Sequence, residues 1–160
     1  MTSIRVIAKG FENKVKENLT SENTLVYRIP DQVTHFKGST NIADFMIFKT
    51  PNLYYLECKS THEKTFYLKS DHFKRQVEGL CEKSKIQGIY SGILIWYVNF
   101  GKVGYVEADY MRELINDKAI GIQFNEFGSG YLKDIPVVVK RTYPVFNGSE
   151  LLHTMVTAYR

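Results

Sequence analysis

Apolar residues at Phe11, Val15 and Leu19 fall four apart and mark one face of a short helix over residues 10–19. A strand is expected at 25–29, followed by a polar loop over 30–41. The stretches 42–49 and 53–59 flank Pro51-Asn52 and read as two antiparallel strands. Proline's fixed φ favours Pro51-Asn52 as the centre of a type I turn between them. A loop or edge segment rich in Thr and Lys covers 60–69. Ser70 or Asp71 then caps a helix running to about residue 85, with Phe73, Val77, Leu80 and Cys81 on its buried side. The nearly continuous apolar run at 88–98 suits a central strand covered on both faces. Beyond it, 101–108 fits a turn and partner strand, 108–115 a short helix, 135–140 a strand, and 149–159 a terminal helix capped by Ser149. The order α-β-β-β-α-β-β-α predicts an α/β fold with a mixed central β-sheet flanked by helices, in a single domain over 1–160.

The hairpin carries the most informative chemistry. With its turn on Pro51-Asn52, pairing sets Asp44 opposite Lys59 and Met46 opposite Glu57. Opposed residues share a face and strand side chains alternate, so Asp44, Glu57 and Lys59 project together. Phe45, Ile47, Leu56 and Cys58 project from the other, core side. A register shift of two residues preserves this division, whereas a shift of one destroys it. Two carboxylates and an ammonium on one face, backed by apolar residues, suit a divalent metal and an attacking water.

Composition narrows the class only slightly. A chain of 160 residues, 44% hydrophobic and 24% charged, is long enough to bury a core without staples. Its formal charge of +4 permits nucleic-acid binding without demanding it. Cys58 and Cys81 show neither disulfide-framework nor zinc spacing, which fits buried, reduced thiols in a cytoplasmic protein. His35, His62, His72 and His153 share no metal spacing. No apolar run approaches membrane-spanning length and the N-terminus lacks the apolar core of a signal peptide, so no membrane partner is expected.

The pattern Asp44-x(12)-Glu57-x-Lys59 resembles the PD-(D/E)xK nuclease signature, with Glu12 on a preceding helix and Lys74, Arg75 and Gln76 on a following one. Within that superfamily, roughly residues 9–115, and more loosely the rest of the chain, resemble the RecU-type Holliday junction resolvases. The matching segments are Gly10-Phe11-Glu12, Gly38-Ser39-Thr40, Tyr55-Leu56-Glu57-Cys58-Lys59-Ser60 and Lys64-Thr65-Phe66-Tyr67-Leu68. His72-Phe73-Lys74-Arg75-Gln76, the strand through Trp96, and Tyr143-Pro144 also match. The resemblance implies a restriction-endonuclease-like core and a homodimeric, magnesium-dependent endonuclease that cuts symmetrically across a four-way DNA junction. Family members carry a long stalk between early strands, for which residues 30–41 are short.

Phosphodiester hydrolysis needs a metal to neutralise the scissile phosphate and to acidify a water. Mg²⁺ prefers oxygen ligands and keeps several waters, and Mn²⁺ is expected to substitute for it. Asp44, Glu57 and the Cys58 carbonyl are the expected ligands. Lys59 would orient or deprotonate the water, or stabilise the pentavalent phosphate. Glu12 would complete the metal shell directly or through water, and Gln76 would hold a phosphate or a metal-bound water. The residues expected to contact DNA are Lys37, Ser39, Thr40, Lys64, Lys69, Lys74 and Arg75, through phosphate-directed charge, hydroxyls and amides. Two other readings stay open: a repair or restriction-like PD-(D/E)xK nuclease acting on ordinary duplex, and a catalytically silent DNA-binding module.

Overall fold

The computed structural model describes residues 3–31, 41–128, 130–140 and 142–159. Ser3 opens α1 (Ile4–Leu19), its hydroxyl accepting from the Val6 amide. Ile7, Phe11, Val15 and Leu19 form the buried stripe, so the helix begins before the expected start at residue 10. Gly10 therefore lies inside it, where propensity disfavours glycine. A Cβ there would run into the Tyr143 ring and hydroxyl; the bare backbone makes room for Tyr143 to pack on Trp96.

Strands β1 (Leu25–Arg28), β2 (Phe45–Lys49) and β3 (Asn52–Thr61) form an antiparallel meander. The turn between β2 and β3 is Thr50-Pro51, with a cis peptide bond, rather than Pro51-Asn52. Pairing runs from Lys49↔Asn52 to Phe45↔Leu56, two residues from the expected register. Side-chain facing has a period of two, so the division of faces survives the correction. The segment expected to be a loop or edge contains β4 (Thr65–Tyr67), and Ser70 then caps α2 (Asp71–Ser84) by accepting from the Phe73 amide. As expected, Phe73, Val77, Leu80 and Cys81 are buried.

Strand β5 (Ile89–Tyr97) lies parallel to β3, a pairing that needs a crossover, which α2 supplies. Next come β6 (Lys102–Glu107), α3 (Ala108–Asn116), β7 (Gly121–Gln123) and β8 (Leu132–Ile135). The six-stranded mixed sheet has the order β1-β2-β3-β5-β6-β8, while β4 and β7 form a separate ribbon. The strand expected at 135–140 is divided: β8 stops at Ile135, and β9 (Val138–Lys140) pairs instead with β10 (Tyr143–Val145). Pro136 between them has no amide to continue a ladder. The last helix, α4 (Gly148–Thr157), is capped by Asn147, which accepts from the Glu150 amide, and not by Ser149.

The sheet separates two cores. On one face α1 and α4 pack against Phe45, Ile47, Leu56, Cys58, Leu94 and Trp96. On the other, α2 and α3 pack against Ile93, Ile95, Tyr97 and Val106. The architecture is the expected mixed α/β arrangement, and its central strands β3 and β5 are covered on both faces.

Candidate active site

At Asp44 the meander starts to open, just before β2 begins. The Asp44 amide still donates to the Leu56 carbonyl (3.2 Å), and its carbonyl accepts from the Ile29 amide (2.8 Å). Its side chain does what a neighbouring strand would do one step further on: Oδ2 accepts from the Cys58 amide at 2.8 Å. This bond pins the carboxylate to the edge of β3. A strand residue sends its N–H and C=O to the same edge, so the Cys58 carbonyl leaves β3 on the Asp44 side. The Cys58 thiol points the other way, into the α1 core.

Glu57 and Lys59 leave β3 on the opposite face, toward α2. Lys59 Nζ lies 2.8 Å from Glu57 Oε1 and donates to Gln76 Oε1 at 3.0 Å. Gln76 Nε2 donates to Glu57 Oε1 (3.1 Å) and to the Asn41 carbonyl (3.2 Å). Glu57, Lys59 and Gln76 thus form a closed ring that ties β3 to α2. Glu57 is only 3% exposed and Gln76 only 5%, yet Glu57 Oε2 has no hydrogen-bond partner among the described residues. A buried carboxylate oxygen left bare is costly unless something else engages it.

The electrostatics point the same way. Burial, and then the neighbouring Glu57 carboxylate, push the Asp44 pKa up to about 7, against the opposing pull of the Cys58 amide and Lys59. Burial also raises Glu57, with Lys59 opposing. Glu12 is raised by burial and by the charge of Asp44. The Cys58 thiol is held neutral, its pKa raised well above the ordinary value chiefly by burial. Carboxylates that resist ionisation because they are dry and close together favour a nearby divalent cation.

A cleft of about 420 Å³ opens over these groups and is lined by Glu12, Asn41, Asp44, Glu57, Lys59, His72 and Gln76. Glu12 reaches it from α1 and is gripped by Arg28, whose Nε and Nη2 approach Oε2 at 2.9 and 2.5 Å. Arg28 also donates to the Ile29 carbonyl, fixing its guanidinium at the end of β1. The exposed Arg75 lies close enough that its charge, after burial and Lys59, lowers the His72 pKa. Lys69 and Lys74 border a separate groove, and Lys64 is exposed beside β4. Neither the cleft nor that groove is lined by Lys64. Lys37, Ser39 and Thr40 lie outside the described residues. Arg28 and Asn41 were not singled out from the sequence, because an ion pair across 16 residues and a backbone carbonyl leave no local pattern. His72 stands in the quoted motif, but nothing in its spacing marks it as lining the cleft.

Among the described residues no group of three or more His, Cys, Asp or Glu side chains is arranged to hold a metal ion. A cation here would therefore rest on two carboxylates, a carbonyl and waters, a donor set that suits Mg²⁺ better than a metal needing a full protein cage. No helix among the described residues is long and apolar enough to cross a membrane. No family model and no curated protein matches this chain. Among solved structures, the Holliday junction resolvase Hjc from the hyperthermophilic archaeon Archaeoglobus fulgidus is similar, with a TM-score of 0.48 and 14% identity over 74% of this chain and 97% of that one.

Proposed function

We propose that this chain is a divalent-metal-dependent endodeoxyribonuclease of the PD-(D/E)xK type that resolves four-way DNA junctions as a homodimer. The observation that carries the reading is the convergence of Asp44, Glu57 and Lys59 on one cleft, with Glu57 Oε2 buried and without a partner among the described residues. Asp44, Glu57 and the Cys58 carbonyl would hold Mg²⁺, or Mn²⁺ in its place. Bound there, the ion would neutralise the scissile phosphate and lower the pKa of a coordinated water. Lys59, held by Glu57 and Gln76, presents a fixed ammonium to the attacking water or to the phosphate as its charge grows. Gln76 acts through its two partners, setting the rotamers of both. Glu12, held by Arg28, sits at the margin of the cleft and would act on the ion through water.

The test is cleavage of a four-way junction beside a linear duplex of equal sequence, in Mg²⁺, Mn²⁺ or EDTA. Paired nicks in opposed strands, dependent on the metal, are the expected result. Equal cutting of both substrates would reassign the enzyme to ordinary duplex, and binding without any cutting would leave a silent DNA-binding module. Paired cuts need two sites related by an approximate two-fold axis, which a C2 dimer provides. Light scattering with and without junction DNA tests that assembly.

A further inference from the structure

Beside the first turn of α2, and apart from the carboxylates, lies a second concavity of about 280 Å³. Tyr67, Lys69, Lys74, Ile115, Lys118 and Ile120 line it, and none of its lining residues is acidic. The acids adjoining these lysines in sequence, Asp71 and Asp117, do not line it. Tyr67 is 44% exposed and carries the Lys69 ammonium 5.6 Å from its ring centroid; Ile120 is 78% exposed. The backbone fixes the shape. Leu68 donates to the Ile120 carbonyl at 3.0 Å, Tyr67 pairs with Gly121, and Lys118 turns the chain after α3 at φ 60°, the one non-glycine residue with positive φ among those described.

An exposed aromatic ring and aliphatic side chain among three ammonium groups match the two demands of a single nucleic-acid strand: a surface for a base and counter-charges for phosphates. The position matters as much as the composition. At 3.6 residues per turn, His72 and Gln76 face the cleft and Lys74 faces the groove, with the exposed Arg75 between them on the solvent side. The two concavities are therefore separated by roughly one helix diameter, about 10 Å, close enough for neighbouring nucleotides of one strand to reach both.

We propose that this groove is a subsite for single-stranded DNA, holding an unpaired nucleotide of the strand whose scissile phosphate occupies the cleft. The base lies against Tyr67, and the phosphates meet Lys69, Lys74 and Lys118. Its place on the substrate rests on the nuclease reading; its binding chemistry does not, so the two can fail separately.

The test uses the full chain in Ca²⁺ and a labelled single-stranded deoxyoligonucleotide, read by fluorescence anisotropy across a salt series. K69Q/K74Q/K118Q should weaken binding at least about 10-fold and flatten the log–log salt slope by about 2, at roughly 0.7 per lost phosphate contact. Tyr67→Ala should weaken binding about 10-fold with the slope unchanged, as loss of one stacked base predicts. The control K83Q/K85Q, at the other end of α2, should alter neither. Unchanged affinity and slope in the triple variant, or an equal loss in the control, would overturn the subsite. So would an equal loss on fully paired duplex, or tighter binding of RNA of the same sequence. Junction cutting by the unaltered protein is scored separately. If it cuts nothing in Mg²⁺ or Mn²⁺ while the groove variants still lose the oligonucleotide, the subsite stands and the nuclease reading falls.

Discussion

The two faces of one hairpin have opposite physical characters. Toward α1, strands β2 and β3 present Phe45, Ile47 and Leu56, each fully buried in an apolar core. Toward α2, the same strands and the residue preceding β2 present Asp44, Glu57 and Lys59, with Glu57 almost as deeply buried. The apolar face gains free energy by leaving water. The polar face loses it, and its charged groups are met by one another, by Gln76, which the Asn41 carbonyl holds in turn, and by the Cys58 amide. One face stabilises the fold, and the other stores an unfavourable arrangement that a bound cation would relieve. Substitutions on the two faces should therefore separate activity from stability.

The largest expected effect is on the polar face. Asp44→Asn should reduce metal-dependent cutting by about 10³-fold, close to 4 kcal/mol of barrier, while DNA affinity in Ca²⁺ stays within about threefold. Gel-shift binding and single-turnover cutting on the same substrate check this, and undiminished cutting would remove Asp44 from the site. On the opposite face, Leu56→Ala should destabilise the protein by roughly 3 kcal/mol, through lost burial and the cavity left behind. Urea denaturation measures it. A loss below about 1 kcal/mol would mean that the α1 face is not the tightly packed one.

Gln76→Ala should cost about 30-fold in cutting, in the range for residues that orient a metal's ligands. Lysine and glutamate would then share a wider set of rotamers, so adding back the longer amide of the native residue, and not a shorter Asn, should restore the rate. The smallest effect runs opposite to the first. Asp44→Asn should raise the stability of the metal-free protein by about 1 kcal/mol at pH 8. The sign follows from the raised pKa. The folded state holds a proton that the unfolded chain has already released, so metal-free stability is full below about pH 4 and falls as pH climbs toward about 7. The variant should show a shallower decline over that window by thermal melting at a series of pH values. A decline as steep as that of the unaltered protein would refute the stored repulsion.

The faces of the hairpin were readable before the fold was known. Alternation with a period of two keeps Asp44, Glu57 and Lys59 on one side under any even shift of register, which is why an error of two residues did no harm. The buried stripe of α2 was equally readable, since Phe73, Val77, Leu80 and Cys81 follow the helical period. Ends were less so. Ser149 and Asn147 are both good capping residues, and only the direction of the entering chain makes Asn147 the cap. The break at Pro136 follows from its missing amide, but the pairing of β9 with β10 depends on where the chain goes next.

By itself, the sequence determined the four helices, the central strands β2, β3 and β5, and which way the side chains of the hairpin and of α2 face, but not the short strands β4, β7 and β10. Those are local properties, set by backbone periodicity and residue chemistry within a few turns or strand steps. Only the tertiary structure decided that Gln76 closes a ring with Glu57 and Lys59, that Arg28 grips Glu12, and that Lys69 and Lys74 join Lys118 in a groove of their own rather than edging the cleft. Each of these joins residues on different elements, and burial, charge and pKa depend on that company. Local pattern has no means of specifying distances between segments that meet only when the chain has packed.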